Sequence, residues 1–353
     1  SMLQATLTLP GIAAMALAAV LGWDMGLTLA WTVPITGIAQ LAFTWRAAAR
    51  IGFVPRFRIP RMTPDLKRLL ITAGPAMLAG GVVQVNLLVS RQVASGTEGA
   101  ISWLVYADHL YQLPLGVVAI AVGTVLLPEL SRRLAAGDAV GGQDAFNRGA
   151  EFALVLTLPS AVGLMVLAHP IIEVIYQRGA FDALATQNTA LALAIYAMGL
   201  PAFVLQKLLQ PLYFAREDTK RPFRFAVWSM VTNAVLAVGL MPWIGFAAAA
   251  IATSASAWIM VGQLWWGARS MGPEARFDDR LLSRLPLVFL ACGAMVLALW
   301  GGAILLQPAL QSPGWRYPAL GGLIGFGIVT YFAAGFALRA FRMSELKGLR
   351  RKS

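Results

Sequence analysis

Charge is scarce in this sequence. Only 12% of its 353 residues are Asp, Glu, Lys or Arg, against 58% apolar, and the mean hydropathy is +0.70. An ordinary soluble domain carries about twice that share of charge, so a water-facing globular fold is excluded. Cysteine is nearly absent as well. The single Cys292 lies in an apolar run, which rules out a disulfide framework or a paired-thiol metal site and leaves a small packing residue. With only His109 and His169 there is no HExxH zinc site, and no GxxxxGK[ST] loop exists to cradle a nucleotide. Neither a metal nor a cofactor is expected. The acidic pair Asp278 and Asp279 is flanked by Arg276 and Arg280, where salt-bridged solvation explains it. No carboxylate cluster at headgroup level can be assembled for a membrane-embedded transferase. A transporter is expected, not an enzyme.

What charge there is has a pattern. The net charge is +12. All but four of the 28 lysines and arginines fall in alternate loops between long apolar stretches: Arg46 to Arg68, then Arg132, Arg133 and Arg148, then Arg216 to Arg224, Arg269 to Arg284, and Arg339 to Lys352. The positive-inside bias puts all five clusters on the cytoplasmic side. There they hold topology and attract anionic membrane lipid; without a folded module beside them they do not point to nucleic acid. The exceptions are Arg91, Arg178, Lys207 and Arg316.

The fold class is an all-α polytopic membrane protein. Spanning hydrocarbon takes about 20 apolar residues as a helix, and the apolar runs are too long for barrel strands. About ten transmembrane helices are expected, near 8–23, 26–45, 66–91, 99–131, 149–177, 187–214, 223–242, 244–267, 284–306 and 316–338. An even count with the basic tail inside places both termini in the cytoplasm. Residues 1–7 lack the basic n-region and cleavage site of a signal peptide, so the chain starts abruptly at a helix.

Prolines predict interruptions in four helices: Pro75 after Gly74, Pro114 with Gly116, Pro159 and Pro201. Ordinary kinking is one reading. Four breaks near intramembrane polar residues favour a transporter whose helices bend around a cavity, with Pro114 and Gly116 as a hinge.

Those polar residues form two stripes. Asp108 and His109 fall about 14–15 Å into the membrane at 1.5 Å per residue. Asp108 and Gln112 share a face at i, i+4 spacing, and His109, Gln112 and Gly116 follow i, i+3, i+7. On the preceding helix, Gln84 and Arg91 are seven apart, with Asn86 and Ser90 four apart. Asp108 could simply pair with Arg91 or His109. Alternatively the stripes line a hydrated cavity for a polar or anionic headgroup. Lys207, about seven residues from its helix end, could snorkel to the interface. Glu151 and Arg216 are read as solvated near the cytoplasmic ends, and Glu173 and Arg178 near the outer end. Gly321 and Gly325 read as a close helix-packing pair in the last span.

The stretch Gly74-Pro75-Ala76 through Trp103-Leu104-Val105-Tyr106-Ala107-Asp108-His109-Leu110, followed by Gln112-Leu113-Pro114-Leu115-Gly116 and Leu127-Pro128-Glu129-Leu130-Ser131-Arg132, resembles the MurJ/MviN lipid II flippases. So do Leu158-Pro159-Ser160-Ala161-Val162-Gly163-Leu164 and Gln206-Lys207-Leu208 through Phe214-Ala215-Arg216-Glu217-Asp218-Thr219-Lys220-Arg221-Pro222. The resemblance runs in order over essentially the whole chain.

That resemblance implies fourteen helices in two six-helix lobes plus two C-terminal helices forming a groove for a lipid tail. It also implies transfer of the undecaprenyl-diphosphate-linked peptidoglycan precursor, lipid II, across the bacterial cytoplasmic (inner) membrane by alternating access. Mapped onto this chain, 1–46 corresponds to the last two helices of the first lobe and 47–65 to a basic cytoplasmic linker. The second lobe covers 66–268, a cytoplasmic loop 269–283, and the tail-groove pair with the basic tail 284–353. The first four helices of the family have no counterpart, so the chain alone is expected to be incompetent. The two polar stripes together with Lys207 make Gln84, Asn86, Arg91, Asp108, His109, Gln112 and Lys207 candidates for the substrate cavity. Lipid II and membrane lipids are the implied partners, with cell-wall synthesis proteins as further candidates. Other readings are a related lipid-oligosaccharide flippase or multidrug exporter of the same superfamily, or a non-transporting scaffold.

The chain departs from the family pattern at His109, where arginine usually follows Tyr-Ala-Asp. Arginine grips phosphate oxygens bidentately, whereas neutral histidine offers one donor. Arg91 is a candidate to supply the missing charge. The stretches 223–242 and 244–267 contain no acidic residue, so sodium coupling is not expected.

Overall fold

A computed structural model describes residues 13, 17–18, 21–50, 52, 62–64, 66–67, 81, 84–121, 127–216, 218–272, 275–312 and 314–340. Every regular element among them is helical. The expected span 8–23, the Gly74-Pro75 break and the tail beyond 340 lie wholly or mostly outside the described residues. The chain divides into two compact units, Ser1–Arg68 and Leu69–Ser353.

In the first unit, α1 spans Met25–Arg50. Asp24 caps it, accepting the Leu27 N–H at 2.8 Å. Thr28, Thr32 and Thr36 each donate to the carbonyl four residues back, at 2.7–2.8 Å, along one face. That back-bonding satisfies hydroxyls that hydrocarbon could not.

The second unit contains α2 (84–94), α3 (Ala100–Ala121), α4 (Leu127–Ala135), α5 (Ala139–Val166), α6 (Ala168–Tyr176) and α7 (Ala183–Phe214). It continues through α8 (Lys220–Ile244), α9 (Ala247–Ala268), α10 (Asp279–Leu305), the short α11 (Gln307–Gln311) and α12 (Arg316–Ala337). Six helices among the described residues are long and apolar enough to cross a membrane: α5, α7, α8, α9 with its extension to Met271, α10 and α12.

α7 is the hub, packed against α3, α5, α6 and α9. Lipid tails are as apolar as leucine, so helices in a membrane associate through close packing and interhelical hydrogen bonds instead of hydrophobic expulsion. The α7–α9 seam uses both. α9 opens with buried Ala247, Ala248, Ala249, Ala250 and Ala252, which let the backbones approach. Side chains bridge the seam along its length: Ser254 donates to the Ile195 carbonyl at 2.8 Å, Trp258 to Met198 at 3.1 Å, Gln206 to Ala257 at 2.9 Å and Tyr213 to Leu264 at 2.6 Å. α8 packs along α9, where Ser229 donates to the Ser256 carbonyl at 3.0 Å.

α10 and α12 pair with each other and rest on α5. Tyr331 of α12 donates to the Val155 carbonyl of α5 at 2.8 Å. The close contact of this pair is at Gly302 and Gly327, whose added Cβ atoms would meet Leu323 at 2.7 Å and Leu299 at 2.6 Å. Gly321 and Gly325 face open space instead. The expected glycine contact is therefore on the wrong face: the buried face of α12 follows Leu320, Leu323, Gly327 and Tyr331.

The expected proline breaks are also corrected. α3 runs unbroken through Pro114, α5 through Pro159, and α7 through Pro201 and Pro211. A proline inside a helix costs about 3 kcal/mol. Opening a helix in hydrocarbon frees several backbone groups at several kcal/mol each, so continuing the helix is the cheaper outcome. The 149–177 run does divide, at Leu167, between α5 and α6.

Two residues read as solvated are built into the packing. Arg216 donates to the Leu212 carbonyl at 2.8 Å and the Met271 carbonyl at 3.0 Å, tying the ends of α7 and α9. Glu151 takes Arg280 at 3.3 Å and Arg284 in direct contact, joining α5 to α10. Arg280 is thus turned to Glu151, while Asp278 caps α10 by accepting the Leu281 N–H at 2.8 Å. On α4, Glu129 accepts from Arg133 at 2.6 Å and from Arg132. The Arg133 guanidinium holds the Glu129 carboxyl below the usual carboxylate range.

Candidate functional site

α3 presents two unlike faces. Trp103, Leu104, Ala107, Tyr111 and Val118, at helical spacing, are buried. Tyr111 meets Tyr196 and Phe203 of α7 at ring separations of 5.2 and 5.7 Å. Nearer the start of α3, Tyr106 packs on Tyr176 at 4.8 Å and Phe181 at 5.5 Å. This aromatic ladder fixes the rotation of α3, each pair adding about 0.5–1.5 kcal/mol beyond its buried area. With that face committed, the opposite one carries exposed His109, Gln112, Leu113, Val117 and Ile120.

Asp108 sits at the margin between the faces, half-buried. Its carboxylate accepts from Gln112 Nε2, the i, i+4 partner on the same face. Tyr111, His109 and Arg91 all lie within electrostatic reach of that carboxylate. Arg91 is exposed near the end of α2, and the described residues hold no ion-pair partner for it. α2 reaches α3 through a short turn in which Gly99 adopts φ +79°, with the Trp103 indole against it. Val93 and Ala94 join the same buried cluster as Ala100 and Trp103. The turn thus brings Arg91 within electrostatic reach of Asp108 across the junction.

The other candidates scatter around this centre. Gln84 is exposed on α2, two residues before half-buried Asn86, whose Oδ1 has no hydrogen-bond partner among the described residues. Pro114 and Gly116 are half-exposed on α3, and a Cβ on Gly116 would meet open space. Lys207 is exposed on α7, one turn beyond Phe203. The arrangement offers a carboxylate bridged to an amide, an imidazole, a guanidinium and an ammonium along helices that are otherwise apolar. Such a face can solvate and grip a polar head. Among the described residues there is no cluster of His, Cys, Asp and Glu that could hold a metal ion.

Sequence reasoning did not single out Tyr111, Tyr196 and Phe203, which orient the polar face. Their signal was present in the spacing Trp103, Ala107, Tyr111, an apolar stripe set against the polar one. It also left apart Arg178 and Arg316, which converge on the Tyr317 hydroxyl at 3.4 and 3.1 Å.

Residues 5–319 match the profile of a family described as "Lipid II flippase MurJ". The chain is 42% identical over 326 residues to the "Probable lipid II flippase MurJ" of Rhizobium meliloti (strain 1021), covering 92% of this chain and 61% of that protein. A Vibrio cholerae protein with the same description is 34% identical over 326 residues, covering 90% of this chain and 61% of its own length. A solved structure named "Lipid II flippase MurJ, inward closed conformation" superposes with a TM-score of 0.74 at 25% identity, covering 95% of this chain and 67% of that one. The chain thus spans 61% of the length of these two relatives.

Proposed function

This chain belongs to the lipid II flippase MurJ family, and we propose that within a two-lobed transporter it moves the undecaprenyl-diphosphate-linked peptidoglycan precursor across the bacterial inner membrane. The observation that carries the proposal is the exposed polar face of α3, with the bonded Asp108 and Gln112 within electrostatic reach of Arg91. The isoprenoid tail never needs to leave hydrocarbon. Only the diphosphate-sugar-peptide head requires a hydrated path, and Gln84, Asn86, Arg91, Asp108, His109, Gln112 and Lys207 would line it. Arg91 and Lys207 supply the positive charge for the diphosphate, while Gln112 and His109 supply further hydrogen-bond donors.

The basic clusters support a cytoplasmic C-terminus, with the chain passing back and forth through the membrane. Bending near Pro114 and Gly116 would let α3 change the side to which the path opens; the lost hydrogen bond at proline and the open space at Gly116 lower the cost of that bend. A cationic path also feels the membrane potential, worth about 2.3 kcal/mol per elementary charge per 100 mV, which can drive its reset.

The test is rescue of bacteria depleted of their own lipid II flippase. One arm expresses the chain alone; the other joins it to the N-terminal portion of the Rhizobium meliloti relative that it does not match. Growth with the joined protein alone supports the proposal, and Asp108→Ala with Arg91→Ala should abolish it; growth with the chain alone overturns the two-lobed reading. Expression at the membrane without rescue in both arms overturns the reading.

A further inference from the structure

A groove lies away from the polar face of α3. It has a volume of about 610 Å³ and is lined by Arg221, Arg224, Phe225, Trp266, Arg269 and Ser270. Because α8 and α9 are consecutive and antiparallel, the first turn of one and the last turn of the other meet at one membrane face. Three guanidinium groups are gathered there. Asp218 offsets part of the charge through Arg221, at 3.3 Å, and Arg269 lies over the Trp266 ring at 5.4 Å.

Both helices repeat the same gradient from the groove inward. On α8, Arg221, Arg224, Trp228, Val231 and Val235 follow alternating steps of three and four, hence one face, and all are exposed. On α9 the order from the groove is Arg269, Trp266, Gly262 and Ile259, again exposed. Charge, then an indole, then aliphatic side chains is the order of a bilayer: headgroup, interface, hydrocarbon. Trp266 is 74% and Trp228 59% exposed, costly in water but natural at the interfacial depth.

We propose that this groove is a binding site for an anionic phospholipid, with the phosphodiester between Arg224 and Arg269 and the acyl chains along the apolar stripes of α8 and α9. The volume suits a phosphate-bearing headgroup. Arginine gives planar, bidentate recognition of phosphate oxygens, and basic pockets between transmembrane helices on the positively charged side are where anionic headgroups collect. A soluble phosphate ester would use the arginines but not the stripes below them. The site is independent of the transport path proposed above and holds whatever the cargo.

The experiment is native mass spectrometry of the purified chain titrated with phosphatidylglycerol, phosphatidylcholine or glycerol 3-phosphate. Phosphatidylglycerol is expected to bind ahead of the other two. Arg224→Gln/Arg269→Gln should weaken it about 30-fold, from about five-fold per arginine near the surface. Arg132→Gln/Arg148→Gln, of equal net charge, should leave it within two-fold. Circular dichroism checks folding, and if the double variant does not fold, Arg224→Gln alone should show the five-fold loss. Equal losses in the two double variants, unchanged affinity in the groove variant, or phosphatidylcholine binding as tightly would overturn the proposal. Tight binding of glycerol 3-phosphate would overturn the lipid as the source.

Discussion

Glu151 on α5 and Arg284 on α10 form an ion pair whose side chains are only 15% and 11% exposed, with Arg280 on the same carboxylate at 3.3 Å. It joins the helix bundle around α7 to the α10–α12 pair, beside a small apolar cleft lined by Leu154, Leu158, Leu285 and Val288. Without that carboxylate the Arg284 guanidinium would lose its Glu151 ion pair beside these aliphatic side chains.

Removing one partner of a buried pair costs about 3–5 kcal/mol, and the residual exposure here reduces that to about 2–3 kcal/mol. Glu151→Ala should therefore lower the unfolding temperature clearly. Replacing both partners by Glu151→Leu and Arg284→Leu should cost less than Glu151→Ala alone. Thermal unfolding in a neutral detergent reads both. If the single variant is as stable as the parent, the pair is not what ties α5 to α10.

How much of this was legible in the sequence depended on distance along the chain. Asp108 and Gln112 are four residues apart, so helical geometry alone put them on one face, and there they bond. Glu151 and Arg284 are 133 residues apart, and no local pattern pairs them. Both sit where an apolar run gives way to polar residues, which reads as the solvated end of a span. The helices in fact continue: α5 starts behind Asp138, α7 behind Asp182 and α10 behind Asp278, each carboxylate accepting an N–H three residues on at 2.8 Å. Apolar content marks where hydrocarbon begins, whereas caps mark where a helix begins, and the turns between them hold Asn147, Glu151 and Arg280. The glycine reading failed for a related reason. A small-residue spacing identifies a face that can be approached, but which face is occupied is decided by the neighbour, and α10 meets Gly327, not Gly321.

The α7–α9 seam gives a second test. A Cβ on Gly199 would lie 2.8 Å from Ser254 Oγ and 3.1 Å from Ser254 Cα, which is backbone and cannot swing away. Gly199→Ala gains about 1 kcal/mol in helix propensity. Against that stands overpacking of about 1–3 kcal/mol and disturbance of the Ser254 bond to the Ile195 carbonyl. The net expectation is a loss of about 1 kcal/mol. Gly239→Ala, where a Cβ meets nothing, should be neutral or stabilising in the same unfolding assay. Equal behaviour of the two would mean that the seam is looser than its geometry.

Asn233 on α8 predicts the opposite sign. It is fully buried, its amide reaches Thr253 and Ser256 only at 3.3 and 3.5 Å, and its Oδ1 lacks a hydrogen-bond partner among the described residues. An unsatisfied buried acceptor costs about 1–3 kcal/mol. Asn233→Leu, similar in volume, should raise stability by about 1 kcal/mol while Asn233→Ala lowers it through the cavity left behind. A drop in the unfolding temperature for Asn233→Leu would refute the idea that this oxygen is a liability.

The transport path itself is tested most directly through Arg91 and His109. The stretch Tyr106-Ala107-Asp108-His109 carries a histidine at the position where the family resemblance implies arginine, so α3 has no permanent positive charge there. Arg91 stands within electrostatic reach of Asp108 and has no ion-pair partner among the described residues, so its guanidinium is available to a diphosphate. A charged hydrogen bond is worth about 1.5–3 kcal/mol, or about ten- to a hundred-fold in rate if it acts on the transition between sides. Arg91→Ala should thus reduce transport by that factor in the chimera that rescues growth, measured as flipped lipid II in proteoliposomes. His109→Arg alone should change little, because one guanidinium already serves the head. In the Arg91→Ala background, His109→Arg should restore transport to within a few-fold of the parent. Restoration identifies a charge that has moved from one helix to its neighbour. Arg91→Ala without effect, or a loss that His109→Arg leaves untouched, would separate the two positions and remove Arg91 from the path.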